Sequence, residues 1–315
     1  MTPLLVVVGP TATGKTALAV ELAQRLDGEV ISADSMQVYR YMDIGTAKPT
    51  VEERQGIPHH LIDVVDPDQE FNAALYGELA RRAVREAAAR GRWPILAGGT
   101  GLYIRSVTDP CSFGAITGDQ GLRSQLEEDA AGGEDLHRRL TAVDPVTAAR
   151  LHPNDLRRVI RALEVYLLTG TPLSQYQRRD RSREGEFRPL AFGLTADRPA
   201  LYRRIGERVD RMLAGGLLAE VEGLRQRGYG RRLTAMQGLG YKELAGFLAG
   251  ETDYESAVEM VKRGTRRLAK RQWTWFGRDK SIRWFTAEGK MQGVAEEIAG
   301  QLAGVPGPGV EKMGR

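Results

Sequence analysis

The chain opens with a pattern that few folds accommodate: an aliphatic run, a glycine-rich loop and a helical repeat in direct succession. Residues 4–8 form a continuous aliphatic segment, the composition of a strand buried on both faces. Leu18, Leu22 and Leu26 then recur every four residues, which is a helical spacing. The sequence therefore predicts a strand, a turn at residues 9–16 and a helix.

The turn carries a recognisable chemistry. Its sequence, Gly-Pro-Thr-Ala-Thr-Gly-Lys-Thr, fits the phosphate-binding pattern G-x-x-x-x-G-K-[ST]. Backbone N–H groups and a helix N-terminus can cradle an anion, Lys15 adds a charge, and Thr16 can ligate Mg²⁺. Because backbone amides recognise only oxygen and charge, a nucleoside triphosphate and another diphosphate ester both remain open. The predicted diphosphate-binding residues are Gly9, Pro10, Thr11, Ala12, Thr13, Gly14, Lys15 and Thr16.

Three further segments have the composition of strands: residues 30–33, 94–97 and 190–194. The stretch 73–90 is helix-like, and strands that alternate with helices indicate a parallel sheet. The predicted fold class is α/β, with a P-loop NTPase-like parallel-sheet core.

Nearly a hundred mainly helical residues separate the third strand from the fourth. We predict a helical insertion domain at 116–187 and a core made of residues 1–115 and 188–315, with a frayed tail from 304 onwards. The expected helices within the insertion are 122–129, 134–140 and 156–168, and those after the fourth strand are 201–213, 217–226, 241–249 and 254–276.

Asp34 directly follows the second predicted strand, which we expect to neighbour the first. Ligands of open α/β sheets bind at the carboxyl ends of the strands, so Asp34 should face the same crevice as the loop. From its position alone it could hold Mg²⁺ through water, cap the next segment or act as a general base. Residues 98–101, Gly-Gly-Thr-Gly, form a third strand-end turn at this edge.

Composition narrows the class of protein. The 315 residues are 42% hydrophobic, an ordinary globular content. Apolar runs are strand-sized, far below the roughly 20 residues of a membrane-spanning helix. The single cysteine, Cys111, cannot form an intramolecular disulfide, and the N-terminus lacks the basic flank of a secretory signal. We expect a cytoplasmic protein with no membrane role.

Positive charge is concentrated in the C-terminal part. Residues 1–106 hold 11 Lys and Arg against 13 Asp and Glu, whereas residues 107–315 hold 34 against 28. Pairs of cations recur every four residues in what we call the basic stripe, a pattern that suits a polyanion, although it also occurs on solvated surfaces. Trp273, Trp275 and Phe276 follow, a cluster that favours the core over stacking on bases. The basic stripe consists of Lys262, Arg263, Arg266, Arg267, Lys270 and Arg271.

Ordered blocks along the chain together resemble the tRNA dimethylallyltransferase family, whose members are also called IPP transferases. They are residues 9–16, Ile-Ser-Ala-Asp-Ser-Met-Gln-Val-Tyr at 31–39, Met-Asp-Ile-Gly-Thr-Ala-Lys-Pro at 42–49, Pro-His-His-Leu-Ile-Asp at 58–63, Gly-Gly-Thr-Gly-Leu-Tyr at 98–103, and the blocks at 157–165, 238–243 and 269–275. The resemblance covers about residues 4–285. It departs from the family at Tyr41, where glycine is usual.

The resemblance implies transfer of a dimethylallyl group from dimethylallyl diphosphate to the exocyclic amine of the adenosine on the 3′ side of the anticodon. Pyrophosphate is released and Mg²⁺ is the implied cofactor, with Thr16 as its protein ligand. The implied catalytic residues are Asp34 as general base, Thr100, and Arg208 on the leaving pyrophosphate. An adenine amine is a poor nucleophile, so a base that removes its proton supplies the missing reactivity. Without the resemblance, Arg208 would be interpreted as a solvated helix arginine.

The resemblance also implies the tRNA contacts, and we expect the protein to act as a monomer on tRNA and dimethylallyl diphosphate. A base in an RNA loop can be extruded and recognised in a pocket. The implied tRNA-binding residues are Asp34, Ser35, Met36, Gln37, Thr100, Arg123, Arg157, Arg158, Val159, Ile160, Arg161, Gln237, Gly238, Leu239, Gly240, Tyr241 and Lys242.

Three other functions remain in view. A P-loop small-molecule kinase, or a prenyltransferase that acts on free adenylate, would not need the basic stripe. A non-enzymatic RNA-binding protein would not need the blocks that match the family's active site. His59 and His60 lack the spacing of a transition-metal site, which favours a structural or substrate-side role.

Overall fold

The computed structural model describes residues 1–109, 118–181, 185–287 and 291–308. The chain divides into two compact units, the first made of Met1–Thr108 and Glu186–Arg315 and the second of Asp109–Gly185. The second unit takes the place in the chain that we assigned to the insertion at 116–187. Cys111 and residues 309–315 of the expected tail lie outside the described residues.

Six parallel strands form the sheet of the first unit, in the order β3-β2-β4-β1-β5-β6. The α/β class with a parallel sheet is confirmed. The expected neighbourhood of the first two strands is wrong, because β4 pairs with both and lies between them. The strands are β1 Thr2–Val8, β2 Gly28–Ser32, β3 His59–His60, β4 Trp93–Ala97, β5 Phe187–Thr195 and β6 Arg283–Thr286.

The predicted helices appear with small changes of boundary, and five were not predicted: α2, α4, α7, α9 and α14. A 3₁₀ turn also spans Ala235–Gln237. The helices are α1 Lys15–Leu26, α2 Val51–Arg54, α3 Ala73–Ala89, α4 Gly101–Thr108, α5 Gln120–Ala131, α6 Leu136–Val143, α7 Pro145–Ala148, α8 Leu156–Thr169, α9 Leu173–Arg181, α10 Arg198–Ala214, α11 Leu217–Gln226, α12 Tyr241–Leu248, α13 Tyr254–Phe276 and α14 Met291–Leu302.

Strand β1 explains why the opening run is apolar throughout. Leu4, Val6 and Val8 point into a core formed with α3, α4, α11, α12 and α13, whereas Leu5 and Val7 point into a second core formed with α1 and α14. Side chains of a strand alternate between the faces of a sheet, so a strand covered on both faces is apolar at every position. The central position of β1 places the loop that follows it in the middle of the sheet edge.

The second unit is helical and has its own core. Leu126 of α5, Leu140 of α6 and Leu163 of α8 belong to that core. Glu164 of α8 is fully buried, and such a carboxylate requires partners. It accepts hydrogen bonds from the Asp119 N–H at 2.8 Å and from the guanidinium of Arg161 at 2.5 Å.

Candidate active site and RNA interface

The loop between β1 and α1 has an irregular backbone that includes three residues with positive φ angles. Gly9 and Gly14 have φ angles of +141° and +89°, and Ala12 has a φ of +63°. A Cβ on Gly9 would lie 2.3 Å from the Leu194 carbonyl oxygen of β5, so only glycine fits there. The Thr13 hydroxyl donates to the Pro10 carbonyl at 2.8 Å and braces the turn. No side chain caps the start of α1, which leaves the N–H groups of its first turn free of side-chain acceptors.

Three charges meet beside this loop: Lys15, Asp34 and Arg208. The Lys15 Nζ donates to the Pro10 carbonyl at 2.7 Å. Desolvation, and then the positive charge of Arg208, lowers the pKa of Lys15 to about 7, while the Asp34 carboxylate opposes the shift. Desolvation likewise lowers the pKa of Arg208, and Asp34 is the strongest opposing charge. One carboxylate therefore acts on both cations, as expected for groups that share a crevice.

The Gly98–Gly101 turn holds the segment that carries Asp34. The Asp34 Oδ1 accepts the Met36 N–H at 2.9 Å, and the Thr100 Oγ1 accepts the Ser35 N–H at 3.0 Å. A Cβ on Gly98 would lie 2.2 Å from the Ala33 carbonyl oxygen, so the two chain segments touch through their backbones. Thr100 and Asp34 thus belong to one hydrogen-bonded unit at the carboxyl ends of β2 and β4.

The structure brings together two of the segments that the resemblance assigned to tRNA, residues 34–37 and 237–242. A Cβ on Gly238 would lie 2.5 Å from the Met36 Cε. Tyr241 is buried, whereas Gln237 and Lys242 are exposed. Gln237 and Lys242 therefore place exposed polar side chains on either side of the packed contact between Gly238 and Met36. A nucleotide can be held on this surface.

Glu220 of α11 anchors this surface, although no sequence pattern singles it out. Its carboxylate accepts the N–H groups of Asp43, Ile44 and Gly45 at 2.8, 2.8 and 3.1 Å, and the Tyr241 hydroxyl at 2.6 Å. The partners lie far away along the chain, so local patterns could not reveal them.

The second unit carries the remaining arginines implied to bind tRNA. Burial alone would raise the pKa of Glu164, but hydrogen bonds from Arg161 and Arg123 hold it below its ordinary value. These two arginines therefore have a structural partner, whereas Arg157 is exposed and Arg158 is exposed beside Asp155, 3.1 Å away. The implied residues Val159 and Ile160 are buried in the core of this unit, so their side chains do not reach its surface.

The basic stripe lies along α13, and its six members differ in whether an acidic side chain already pairs with them. Lys262 pairs with Asp210 at 2.7 Å, and Arg266 lies 3.9 Å from Glu259. The others are exposed, and none of them has an ion-pair partner in the part of the chain that the structure describes. We call these the four exposed cations: Arg263, Arg267, Lys270 and Arg271.

The aromatic residues at the end of α13 do not all belong to the core as expected. Phe276 is buried, but Trp273 and Trp275 are 45% and 40% exposed. Trp273 rests on Trp284 of β6 with ring centroids 4.9 Å apart. The expectation is thus confirmed for Phe276 and wrong for both tryptophans, which lie on the surface beside the basic stripe.

Gln272, between these tryptophans and the exposed cations, makes two contacts that the sequence did not suggest. Its Oε1 accepts the Thr11 N–H of the β1–α1 loop at 2.8 Å, and its Nε2 donates to the Gly99 carbonyl at 3.1 Å. Its position within the block 269–275 was the only sequence indication of a role.

A sequence model described as IPP transferase matches residues 37–279. The chain belongs to the IPP transferase family. A relative from Pelotomaculum thermopropionicum, called tRNA dimethylallyltransferase, is 54% identical over 96% of this chain and 97% of its own length. The matched region 37–279 includes the second unit and parts of the first, and the relative from Pelotomaculum thermopropionicum matches nearly the whole chain.

Solved structures of IPP transferases agree with this fold. The tRNA isopentenylpyrophosphate transferase of Bacillus halodurans is 43% identical, with a TM-score of 0.72 over 96% of this chain and 97% of its own. A eukaryotic dimethylallyltransferase, described as acting on tRNA, is 30% identical, with a TM-score of 0.79 over 96% of this chain and 78% of its own. Among the described residues, none of the helices is long and apolar enough to cross a membrane.

Proposed function

We propose that this protein transfers a dimethylallyl group from dimethylallyl diphosphate to the exocyclic amine of the adenosine 3′ to the anticodon in tRNA. Relatives about half identical to it over nearly its full length are named tRNA dimethylallyltransferase. The observation that carries the proposal is that one carboxylate, Asp34, lies close enough to two cations, Lys15 and Arg208, to oppose the lowering of the pKa of both. All three groups lie beside the proposed anion-binding loop. A proton acceptor beside an anion site matches a reaction that removes a proton and releases a diphosphate.

In the proposed reaction, the adenine nitrogen forms a bond to the first carbon of the dimethylallyl group. The bond from that carbon to the diphosphate oxygen breaks, and its electron pair leaves on pyrophosphate. The amine proton passes to the Asp34 carboxylate. Lys15 and Arg208 stabilise the negative charge that develops on the leaving group, and the Gly9–Thr16 loop acts as a P-loop for it.

The residues present fit the proposed Mg²⁺. The part of the chain that the structure describes contains no group of three or more His, Cys, Asp or Glu able to hold a metal. Mg²⁺ needs no such cage, because it takes most ligands from phosphate and water and few from protein. Thr16, exposed at the start of α1, would hold it through its hydroxyl. When bound with the diphosphate, Mg²⁺ would neutralise charge on the leaving group.

The four exposed cations supply the proposed contact with the tRNA backbone. Phosphate contacts fix the position of a nucleic acid without reading its sequence, so exposed, unpaired cations suit them. Trp273 and Trp275 are partly exposed beside these cations, and bases stack on accessible aromatic rings. In the proposal, residues 34–37 and 237–242 hold the extruded adenosine next to Asp34, Thr100 supports that segment, and the exposed Arg157 and Arg158 bind tRNA. The proposed enzyme is a cytoplasmic monomer.

A mass-spectrometric assay tests the proposal. Purified protein, Mg²⁺ and dimethylallyl diphosphate are incubated with an anticodon stem-loop that carries adenosine 3′ to the anticodon, and with a matched RNA that carries guanosine there. We expect the first RNA alone to gain one dimethylallyl group in place of one hydrogen, confined to that nucleotide. An unmodified adenosine RNA would refute the proposal, and phosphoryl transfer from ATP without RNA would identify a kinase instead.

A further inference from the structure

Gln272 joins two loops that belong to different parts of the proposed site. Its side-chain amide lies between the Thr11 N–H of the anion loop and the Gly99 carbonyl of the Gly98–Gly101 turn, at 2.8 and 3.1 Å. The amide uses its acceptor on one loop and its donor on the other, so no single-function side chain could replace it. A Cβ on Gly99 would lie 2.2 Å from the Gln272 Nε2, which shows how closely the two are fitted.

The Gly98–Gly101 turn continues the connection to Asp34. Gly98 touches the Ala33 backbone, and the Thr100 Oγ1 accepts the Ser35 N–H. A Cβ on Gly101 would lie 2.1 Å from the indole Nε1 of Trp275, so a second residue of α13 also rests on this turn. Through one turn, α13 therefore contacts the segment of the proposed base, and through Gln272 it contacts the anion loop directly.

Helix α13 presents these contacts and the four exposed cations on different sides. Ala269 and Phe276, three residues before and four after Gln272, are buried and mark the inward side of the helix. Arg267 and Arg271 are exposed and mark the outward side. One rigid helix thus carries charges suited to RNA on its outer side and a bridge to both catalytic loops on its inner side.

We infer that Gln272 is a positioning residue that makes the diphosphate loop and the Asp34 segment respond to RNA bound on α13. The inference rests on the proposed function. RNA held by the exposed cations fixes α13, and Gln272 then fixes the Thr11 amide and the Gly98–Gly101 turn for the diphosphate. Since coupling between sites is reciprocal, the diphosphate must also strengthen RNA binding by the same factor.

The test uses the full chain with Gln272→Met, which keeps the side-chain length and removes both hydrogen bonds, and Gln272→Glu, which keeps an acceptor for Thr11 but has no donor for Gly99. Gln226→Met, at an exposed position of α11, is the matched control. Calorimetry measures the Kd of dimethylallyl diphosphate with and without a saturating amount of the matched stem-loop RNA that carries guanosine 3′ to the anticodon, so that no transfer occurs during the titration. Steady-state kinetics on the adenosine stem-loop give kcat and the KM for the diphosphate, and thermal melting reports folding.

We expect RNA to tighten diphosphate binding to the wild type and to the control about fivefold or more, within the usual range of coupling between sites. Gln272→Met should lose this effect, raise the KM for the diphosphate, and lower kcat/KM about tenfold to a hundredfold, the size expected from two neutral hydrogen bonds. Its affinity for RNA alone should stay within about twofold, because the four exposed cations are untouched. Gln272→Glu should also lose the RNA effect.

Several outcomes would overturn the inference. One is an RNA effect on diphosphate binding that survives in Gln272→Met, and another is a wild type without such an effect. A variant with a lower melting temperature, whose folded fraction keeps the wild-type KM and the wild-type effect of RNA on diphosphate binding, would show that Gln272 has only a structural role. If the wild type transfers no prenyl group, the proposed function is refuted. The calorimetric experiment still tests separately whether Gln272 couples RNA binding to diphosphate binding.

Discussion

The lowered pKa of Lys15 gives a sharp prediction about pH. In the free protein, desolvation and Arg208 bring the pKa of Lys15 to about 7. A bound diphosphate places negative charge beside the ammonium and returns its pKa towards the ordinary value of about 10.4. At about pH 8, roughly nine-tenths of free Lys15 is neutral, so binding must take up nearly one proton per diphosphate.

The magnitude follows from this linkage. Above the free pKa of about 7, the Kd of the diphosphate rises about tenfold per pH unit, which corresponds to about 1.4 kcal/mol. Between about pH 7 and about pH 9 the Kd should rise about fiftyfold, because Lys15 is already half neutral at the lower limit. The ligand contributes little to this slope, because the last ionisation of its phosphate has a pKa of about 6.

Isothermal titration calorimetry measures this effect directly. Titrations of dimethylallyl diphosphate in buffers with different ionisation enthalpies give the number of protons taken up at each pH. Lys15→Arg, whose guanidinium stays charged, should bind with a Kd that is flat over the same range, whereas Lys280→Arg at an exposed position should keep the wild-type slope. A wild-type Kd that is flat to about pH 9, without proton uptake, would refute the reasoning.

Other predictions concern binding and stability. Arg267→Ala removes one proposed phosphate contact, so the slope of log affinity for tRNA against log salt should become shallower by about one, and an unchanged slope would exclude the contact. Glu220→Gln weakens the carboxylate that accepts three N–H groups and should cost about 2 kcal/mol in urea unfolding, against a near-neutral Glu222→Gln control; equal losses would contradict the anchoring role. The Tyr41 ring lies 4.2 Å from the Arg227 guanidinium, so a double-mutant cycle of Tyr41→Gly and Arg227→Ala should give a coupling of about 0.5–1 kcal/mol, and additive losses would refute it.

Tyr41 shows how a departure from the family pattern can be understood from the backbone. Its φ of +67° lies in the left-handed region, which glycine adopts at little cost and other residues rarely do. The glycine that the resemblance leads us to expect at this position would adopt this conformation without strain. In this chain tyrosine adopts the same conformation, and its ring packs against Arg227.

The sequence predicted the elements whose patterns are long and local. The apolar run of β1, the loop after it and the full extent of α13 could all be identified from composition and spacing. Strands β3 and β6, of two and four residues, are too short to show a period. Strand order is set by long-range pairing, which is why β4 could not be placed between β1 and β2 in advance.

The residues of the predicted site likewise divide into those that local sequence patterns reveal and those that only the fold brings together. Lys15, Asp34 and Thr100 follow strand ends, so the topology of a parallel sheet brings them to one edge. Gln272 reaches Thr11 across 261 residues of chain, and no local pattern encodes such a contact. The exposure of Trp273 and Trp275 could not be predicted either, because aromatic composition is the same in a core and on a nucleic-acid surface.

The central claim is that Asp34 accepts the amine proton beside the diphosphate loop, and Asp34→Asn tests it most directly. The asparagine Oδ1 can still accept the Met36 N–H that now bonds the carboxylate at 2.9 Å, so the local turn is retained while the base is lost. In single-turnover transfer to an anticodon stem-loop, we expect the rate to fall about 10²–10⁴-fold with RNA affinity unchanged. A variant that transfers the dimethylallyl group at the wild-type rate would contradict the account.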